Sequence, residues 1–205
     1  KSLVPELRQK LVAAAKSLPG VDNVSVNIVS KIIAHSVQRG VQLLPGVKNI
    51  IAVASGKGGV GKSTTAVNLA LALAAEGANV GLLDADIYGP SQPLMTSTSG
   101  KPESLDGKLM EPKHSMGLQI NSIGFLVDED QAMIWRGPMA SQALEQLITQ
   151  TRWDDLDYLV VDMPPGTGDV PLTVFQSLPV DGILIVASPQ ELVGMIVEKA
   201  MKMID

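Results

Sequence analysis

Short apolar runs recur along the chain, each followed within two residues by glycine, proline or aspartate. Four of them cover residues 50–54, 80–83, 158–161 and 182–187. Runs of this length without a charged residue are typical of strands that are buried on both faces of a sheet. A fifth, short strand is predicted over residues 118–123.

Helical patterns separate these runs. Helices are predicted over residues 62–76, 138–150 and from 190 to the end of the chain, and Gly77 ends the first of them. Buried strands that alternate with helices indicate an α/β fold, in which a mostly parallel β-sheet carries helices on both faces. Residues 89–117 are rich in Pro, Gly, Ser and Lys and predict a long surface excursion.

The start of the chain has a different residue pattern. A helix predicted over residues 4–17 is followed by Val24, Val26 and Ile28, which alternate as in a half-buried strand. One helix and one strand cannot enclose a core, so this part is expected to be a fragment or an appendage of the main domain. The predicted organisation is therefore a small unit over residues 1–30, a linker over 31–46 and a main domain over 47–205.

Composition and charge narrow the class of protein. Aromatic residues make up only 3% of the 205 residues, so the core must be aliphatic, and there is no cysteine to form a disulfide or a thiolate metal site. A net charge of −5 argues against extended, sequence-independent binding to nucleic acid. Neither a membrane-spanning apolar run nor a signal peptide is visible, which favours a cytoplasmic protein.

The glycine-rich loop after the first apolar run carries the clearest chemistry. It fits the pattern G-x4-G-K-[ST], in which backbone N–H groups converge on phosphate oxygens at the start of a helix. The lysine reaches the β- and γ-phosphates and the hydroxyl that follows it can ligate Mg2+. The loop residues predicted to bind nucleotide are Gly56, Lys57, Gly58, Gly59, Val60, Gly61, Lys62, Ser63 and Thr64.

The same loop also matches the dinucleotide fingerprint G-x-G-x-x-G. In that alternative, Asp84 or Asp86 would be the acid that binds the ribose of a nicotinamide cofactor. A glycine-rich turn without a ligand is the simplest alternative. Lys62-Ser63 and a later strand-end carboxylate, Asp162, favour a nucleoside triphosphate with magnesium, because a dinucleotide site uses neither.

Three aspartates follow predicted strands, where the carboxyl ends of a parallel sheet meet. Asp162 is expected to hold Mg2+ through water or together with Ser63, and Asp84 is expected to act as an outer ligand or as a strand-end cap. Asp86 can face a γ-phosphate held at the neighbouring strand. The sequence thus predicts metal-site residues Ser63, Asp84 and Asp162, with Asp86 near the γ-phosphate.

Lys57, a second lysine in the phosphate loop, is a feature of a known class of proteins. Lys57-Gly-Gly-Val-Gly-Lys62-Ser resembles the deviant Walker A motif of the MinD, ParA, arsenite-pump and nitrogenase iron-protein class. In that class the extra lysine reaches the phosphates of a partner subunit, which implies a homodimer with catalytic residues Lys57 and Lys62; a solvated loop lysine is the alternative. The resemblance also implies that Asp86 orients the attacking water and that the Gly166 N–H senses the γ-phosphate, whereas Asp169 fits a turn equally well.

Three further stretches resemble the Mrp/ApbC family of ATP-binding iron–sulfur cluster carriers. They are residues 84–91 (DADIYGPS), 135–139 (WRGPM) and 162–169 (DMPPGTGD). The resemblance covers residues 47–205, and residues 1–46 look like the tail of the small metal–sulfur-assembly domain that precedes the ATPase in many members. It implies a slow Mg2+-dependent ATPase that binds ATP and delivers [4Fe–4S] clusters to apo-proteins.

The implied partners are a second copy of the chain, apo iron–sulfur proteins and the cluster assembly machinery, with neither membrane nor nucleic acid. A MinD- or ParA-like positioning or regulatory switch without cluster transfer is the alternative. The family's Cys-x-x-Cys ligands lie downstream of residue 205, so the domain is expected to lack its C-terminal portion. Pro189 is expected to border the adenine. Arg136 is expected to contact the nucleotide or the partner, or to form a structural salt bridge. His35 and His114 are expected to lie on loops or on the surface.

Overall fold

The computed structural model describes residues 2–34, 44–126, 137–166, 171, 174–175 and 177–189, with the side chains of 137–141 left out. These residues include four α-helices and six β-strands with the bounds that follow. The helices are α1 Val4–Lys16, α2 Lys62–Ala75, α3 Gln92–Met95 and α4 Gly137–Thr149; the strands are β1 Ile50–Ala54, β2 Val80–Asp84, β3 Lys113–Ser115, β4 Leu118–Ser122, β5 Tyr158–Asp162 and β6 Gly182–Ile185.

The six strands form one sheet in the order β3-β4-β2-β5-β1-β6. All neighbouring pairs are parallel except β3 and β4, which pair antiparallel at one edge. β1 and β2 both flank β5, and the register places Asp84 directly beside Asp162 and Val53 beside Asp162. The carboxyl ends of β1, β2 and β5 therefore meet, as the predicted parallel sheet requires.

The sheet buries aliphatic side chains on both faces, because successive strand residues point to opposite sides. Leu82 packs with Ala66 and Ala70 of α2 on one face. Leu83 belongs to the cluster on the other face, which includes Leu147 of α4. The predicted α/β architecture with an aliphatic core is thus confirmed, and helix α2 is held where its first turn faces the ends of β1 and β5.

Helix α2 begins and ends where the glycines predict. Gly61, with φ of 90°, immediately precedes its first residue, Lys62. Gly77, with φ of 96°, follows the last turn and adopts the left-handed conformation that non-glycine residues avoid. The helix therefore starts directly at the glycine-rich loop.

The predicted strand around Val24 is wrong, because no strand precedes β1 among the described residues. Val24, Val26 and Ile28 are half-buried and the residues between them exposed, so the alternation is present without a pairing strand. The side chain of Asn49 contacts this segment, donating a hydrogen bond to the Ile33 carbonyl oxygen at 3.2 Å. An alternation of apolar and polar residues predicts an extended backbone. A β-strand also needs a neighbouring strand whose backbone N–H and C=O groups are free to pair with it.

The predicted surface excursion over residues 89–117 is only partly on the surface. Most of residues 99–109 are exposed, but Gln92 of α3 and Thr96, which follows the helix, are fully buried, and β3 extends the sheet. The Thr96 hydroxyl donates to the Gln92 carbonyl oxygen at 2.6 Å and so closes the short helix on itself. A polar composition predicts exposure, but here the polar side chain of Gln92 is buried because it donates hydrogen bonds to buried acceptors of the main domain.

Several other predictions fall outside the described residues: the helix from residue 190, Trp135 and Arg136, His35 and Asp169. His114 is exposed, as predicted, but it lies on β3. Within the part of the chain that the structure describes, no helix has both the length and the apolar character to cross a membrane.

Candidate nucleotide-binding site

The glycine-rich loop joins β1 to α2 and curves around a cleft of about 260 Å³. Gly59 and Gly61 have φ of 78° and 90°, and a Cβ atom on either would meet no atom within 4 Å. The glycines are therefore required by the left-handed backbone. The free N–H groups of the first turn of α2 face the loop and favour an anion there. The cleft is lined by Ser55, Gly58, Gly59, Gly61, Lys62, Ser63, Asp86, Gly89 and Pro165.

Lys62 is the centre of the polar contacts in this cleft. Its side chain is 7% exposed, and its Nζ atom contacts Asp162 Oδ1 directly. The same Nζ lies 3.3 Å from Asp86 Oδ2 and donates to the Ser63 hydroxyl at 3.2 Å. A buried ammonium group requires such partners, since an unpaired buried charge is costly. One cation thus holds two carboxylates and a hydroxyl at the phosphate end of the cleft.

Asp84 lies behind this group and is fully buried. Its Oδ1 accepts from the Asp86 N–H at 3.2 Å, and its Oδ2 accepts from the Gln92 N–H and the Ser122 hydroxyl, both at 3.0 Å. Burial, and then the charge of Asp162, raise the pKa of Asp84 to about 7. Both oxygens of Asp84 therefore accept hydrogen bonds, which link the end of β2 to the turn that follows it, to α3 and to the end of β4.

The donor chemistry of the cleft suits a magnesium ion bound with phosphate. Ser63, Asp86 and Asp162 offer only oxygen atoms, which hard cations prefer. The described residues contain no group of three or more His, Asp or Glu side chains placed to hold a metal. Magnesium characteristically takes one or two protein oxygens and completes its shell with water and phosphate oxygens, so this donor set fits a metal that arrives with a nucleotide.

Gly166 connects the turn after β5 to the start of the phosphate loop. Its N–H donates to the Ser55 carbonyl oxygen at 2.9 Å, and its φ of 95° is in the left-handed region. The amide that the sequence assigns to phosphate sensing is thus engaged with the protein. It would have to exchange this bond for one to a phosphate oxygen.

The remaining predicted residues lie around the cleft or away from it. Lys57 and Thr64 are exposed, while Gly56 and Val60 are half-buried. Pro189 is exposed after β6 and is not among the lining residues of the phosphate cleft. Lys57 therefore stands on the outer side of the loop, accessible to a second molecule.

Gln92 is a residue of this site that the sequence does not indicate. Its Nε2 atom donates to Asp162 Oδ2 at 2.9 Å and to the Ser63 carbonyl oxygen at 3.0 Å, and its side chain is fully buried. A glutamine within a Pro- and Ser-rich stretch carries no signal for such a position. Only the packing of α3 against the loop brings it there.

A phosphate loop between a buried parallel strand and a helix, with a strand-end aspartate at the lysine, defines a P-loop nucleotide-binding domain. The family model described as "ParA: NUBPL iron-transfer P-loop NTPase" matches residues 46–205. The chain belongs to this family of iron-transfer P-loop NTPases. The predicted resemblance is confirmed, and the family decides against the nicotinamide alternative.

Similar proteins bear names that concern iron–sulfur clusters. An iron–sulfur cluster carrier protein of Pseudomonas fragi is 53% identical over 195 residues, covering 94% of this chain and 68% of the relative. One of Escherichia coli K12 is 66% identical over 148 residues, 72% of this chain and 40% of the relative. The mouse iron–sulfur cluster transfer protein NUBPL is 54% identical over 162 residues, 78% of this chain and 51% of the relative. The chain thus spans about half or less of the latter two proteins.

Solved structures agree on the fold. A nucleotide-binding protein of Archaeoglobus fulgidus in complex with ADP is 41% identical, with a TM-score of 0.67 over 77% of this chain and 61% of that chain. A plasmid partition protein of Borrelia burgdorferi is 20% identical, with a TM-score of 0.50 over 76% of this chain and 69% of that chain, and shows the fold alone. The fold-class prediction is confirmed.

Proposed function

We propose that the protein is a magnesium-dependent ATPase that carries a [4Fe–4S] cluster and delivers it to apo iron–sulfur proteins in the cytoplasm. The observation that supports the ATPase part is the buried contact of Lys62 with Asp162 and Asp86 beside the phosphate loop. Membership of the iron-transfer family and the names of the relatives support the cluster part.

The loop amides and Lys62 bind the β- and γ-phosphates, and Ser63 and Asp162 would hold the magnesium ion. Bound there, magnesium would offset negative charge on the phosphate oxygens. Asp84 acts behind them as the outer carboxylate, because it ends β2 directly beside Asp162 at the end of β5. Pro189 borders the adenine at the carboxyl edge of β6.

Asp86 positions the attacking water. It lies at the cleft with its Oδ2 3.3 Å from Lys62 Nζ, and its Oδ1 accepts from the Tyr88 N–H at 3.2 Å, so its carboxylate is held in place. Water attacks the γ-phosphorus in line with the leaving oxygen, and Lys62 stabilises the developing charge. The exposed Lys57 contributes a second positive charge from the partner subunit of a homodimer, and the Gly166 N–H contacts the γ-phosphate.

The cluster is cargo, and its ligands lie outside these 205 residues, which contain no cysteine. Nucleotide state sets the geometry of the dimer and thereby the binding and release of the cluster. In this organisation residues 47–205 form the ATPase domain, 31–46 a linker, and 1–30 the end of a small metal–sulfur-assembly domain.

The full-length protein provides the test. We expect it to take up iron and sulfide as a [4Fe–4S] cluster with its characteristic absorption, and to activate an apo-enzyme that requires such a cluster. We also expect calorimetry to detect ATP binding that magnesium strengthens, and no comparable binding of NAD. ATP turnover without cluster uptake would contradict the carrier function and favour a positioning or regulatory switch.

A further inference from the structure

Gln92 contacts three separate parts of the site at once. Its side-chain Nε2 donates to the Ser63 carbonyl oxygen in α2 and to Asp162 Oδ2 at the end of β5, at 3.0 and 2.9 Å. Its backbone N–H donates to Asp84 Oδ2 at the end of β2, at 3.0 Å. Although it belongs to the stretch predicted as a surface excursion, none of its surface is exposed.

The orientation of the Gln92 amide is fixed by its neighbours. Both of its side-chain contacts are acceptors, so the NH2 group must face them; the reverse orientation would place oxygen against oxygen. The Oε1 atom is buried and has no hydrogen-bond partner among the described residues. A buried acceptor left without a partner has a free-energy cost, so this orientation of the amide is set by the two acceptors that the NH2 group contacts.

The Gln92 amide is uncharged, whereas the other group that contacts Asp162, the Lys62 ammonium, is positively charged. The carboxylate divides its oxygens: Oδ1 contacts the Lys62 ammonium and Oδ2 accepts from Gln92. A second cation at Oδ2 would offset the charge that attracts a metal, whereas an amide orients the carboxylate and leaves its charge in place. Hydrogen bonds to metal-ligating carboxylates commonly set metal affinity in this way.

We propose that Gln92 is a positioning residue, whose amide holds the carboxylate of Asp162 against the backbone of Ser63 in the orientation that binds magnesium with ATP. This inference rests on the proposed function, because it assigns Gln92 a part in the same magnesium–nucleotide site. Gln92 acts through Asp162 and touches neither substrate nor the reacting atoms.

The test is the magnesium dependence of ATP binding by the full-length protein carrying Gln92→Met, which keeps the length of the side chain and removes the amide. We expect the magnesium affinity of the ATP complex to fall by roughly 10- to 100-fold, the range for lost outer contacts of metal ligands. ATP affinity in EDTA should change by no more than about twofold, since Gln92 does not line the phosphate cleft. An unchanged magnesium affinity, or an equal loss in EDTA, would overturn the proposal.

Thr96→Val is the matched control, because it removes another buried hydrogen-bonding group at the C-terminal end of the same short helix. We expect it to lower the thermal unfolding temperature without changing the magnesium affinity; an equal loss of magnesium affinity would assign the effect to α3 as a whole and refute the role of the amide. If Gln92→Met does not fold, Gln92→Asn, which keeps a shorter amide, replaces it with the same expectations.

A double-mutant cycle separates action through Asp162 from a general loss of structure. Adding Gln92→Met to Asp162→Asn should cause no further loss of magnesium affinity, whereas independent effects would add. Magnesium–ATP binding by the unsubstituted protein separates failure of the proposed function from failure of the role of Gln92. If that protein binds no magnesium–ATP, the proposed function fails; if it binds and Gln92→Met behaves like it, only the role of Gln92 fails.

Discussion

Lys62 and Asp162 form a buried ion pair although 100 residues separate them in the chain. The pair exists because β5 lies beside β1, with Asp162 in register with Val53, and because α2 starts at the loop that follows β1. Asp162 is fully buried and the Lys62 side chain is 7% exposed. Loss of either partner would leave the other charge buried, so the pair matters both for stability and for the chemistry of the cleft.

Lys62→Ala should abolish ATP turnover. Removal of one preorganised charge at a reacting group typically costs about 100-fold or more in rate, and here it also removes the partner of two carboxylates. The measurement is steady-state phosphate release, with thermal unfolding measured alongside. Lys10→Ala, on the exposed face of α1, is the control and should turn over normally. Turnover by Lys62→Ala above a tenth of the normal rate would contradict the assigned role.

Lys57→Ala should also lose ATP turnover, because Lys57 acts in the site of the partner subunit. Mixing the subunits of two variants tests this explanation. If Lys57 acts in the partner's site, a mixture of Lys57→Ala and Lys62→Ala subunits contains dimers with one intact site. That site combines Lys62 of the first variant with Lys57 of the second. We expect the mixture to regain up to about a quarter of the normal activity, since roughly half of randomly paired dimers are mixed and carry one site each. No recovery, with mixed dimers present by mass spectrometry, would place Lys57 in its own subunit's site or outside catalysis.

Asp86→Asn should slow the chemical step and leave ATP binding nearly intact. The substitution keeps the shape and removes the negative charge that orients or deprotonates water, and losses of such groups amount to about 10²- to 10⁴-fold. The phosphates gain binding from the loss of a nearby negative charge, so the ATP dissociation constant should not rise. Single-turnover hydrolysis and equilibrium binding measure the two effects separately. A weaker affinity with an unchanged rate of hydrolysis would reverse the assignment.

Asp84 should make the stability of the protein depend on pH. Because the pKa of Asp84 is raised from 3.8 to about 7, the native state binds a proton that the unfolded chain releases between these values. The free energy of unfolding contributed by this group therefore falls as pH rises from about 4 to 7, by at most about 1.4 kcal/mol per pH unit. Urea unfolding in EDTA across this range, with Asp84→Asn as the comparison, should show a flatter profile in the variant. Parallel profiles would contradict the shift.

Gly81→Ala should destabilise the domain through the core. A Cβ atom at Gly81 would lie 2.4 Å from Leu156 Cδ1, 3.0 Å from Leu159 Cδ1 and 3.2 Å from Trp153 Cζ3. Overpacking of this kind typically costs about 1–3 kcal/mol. Gly182→Ala is the matched control, since it also lies in a strand and its Cβ would meet nothing within 4 Å. Chemical denaturation of both variants should separate them; equal stabilities would refute the packing argument.

Residues close together in the chain were predicted well because their signals are local. The apolar runs determine β1, β2, β4, β5 and β6, and the glycines determine where α2 begins and ends. The phosphate loop is a continuous stretch whose backbone geometry follows from its own residues. The failed strand around Val24 shows the limit of such reasoning, since alternation predicts which side chains turn inward but not whether a partner strand is present.

The sequence by itself thus determined the phosphate loop, the parallel α/β class and the strand-end aspartates Asp84, Asp86 and Asp162. The tertiary structure alone decided that Asp162 shares one buried site with Lys62 and that Asp84 accepts hydrogen bonds from the turn after β2, from α3 and from the end of β4. It also decided that Gln92, from a stretch with the composition of a loop, donates hydrogen bonds to Asp162 and to the backbone of Ser63 in that site. The physical reason is that strand order and helix packing bring distant residues together, and burial then demands partners that no local pattern specifies.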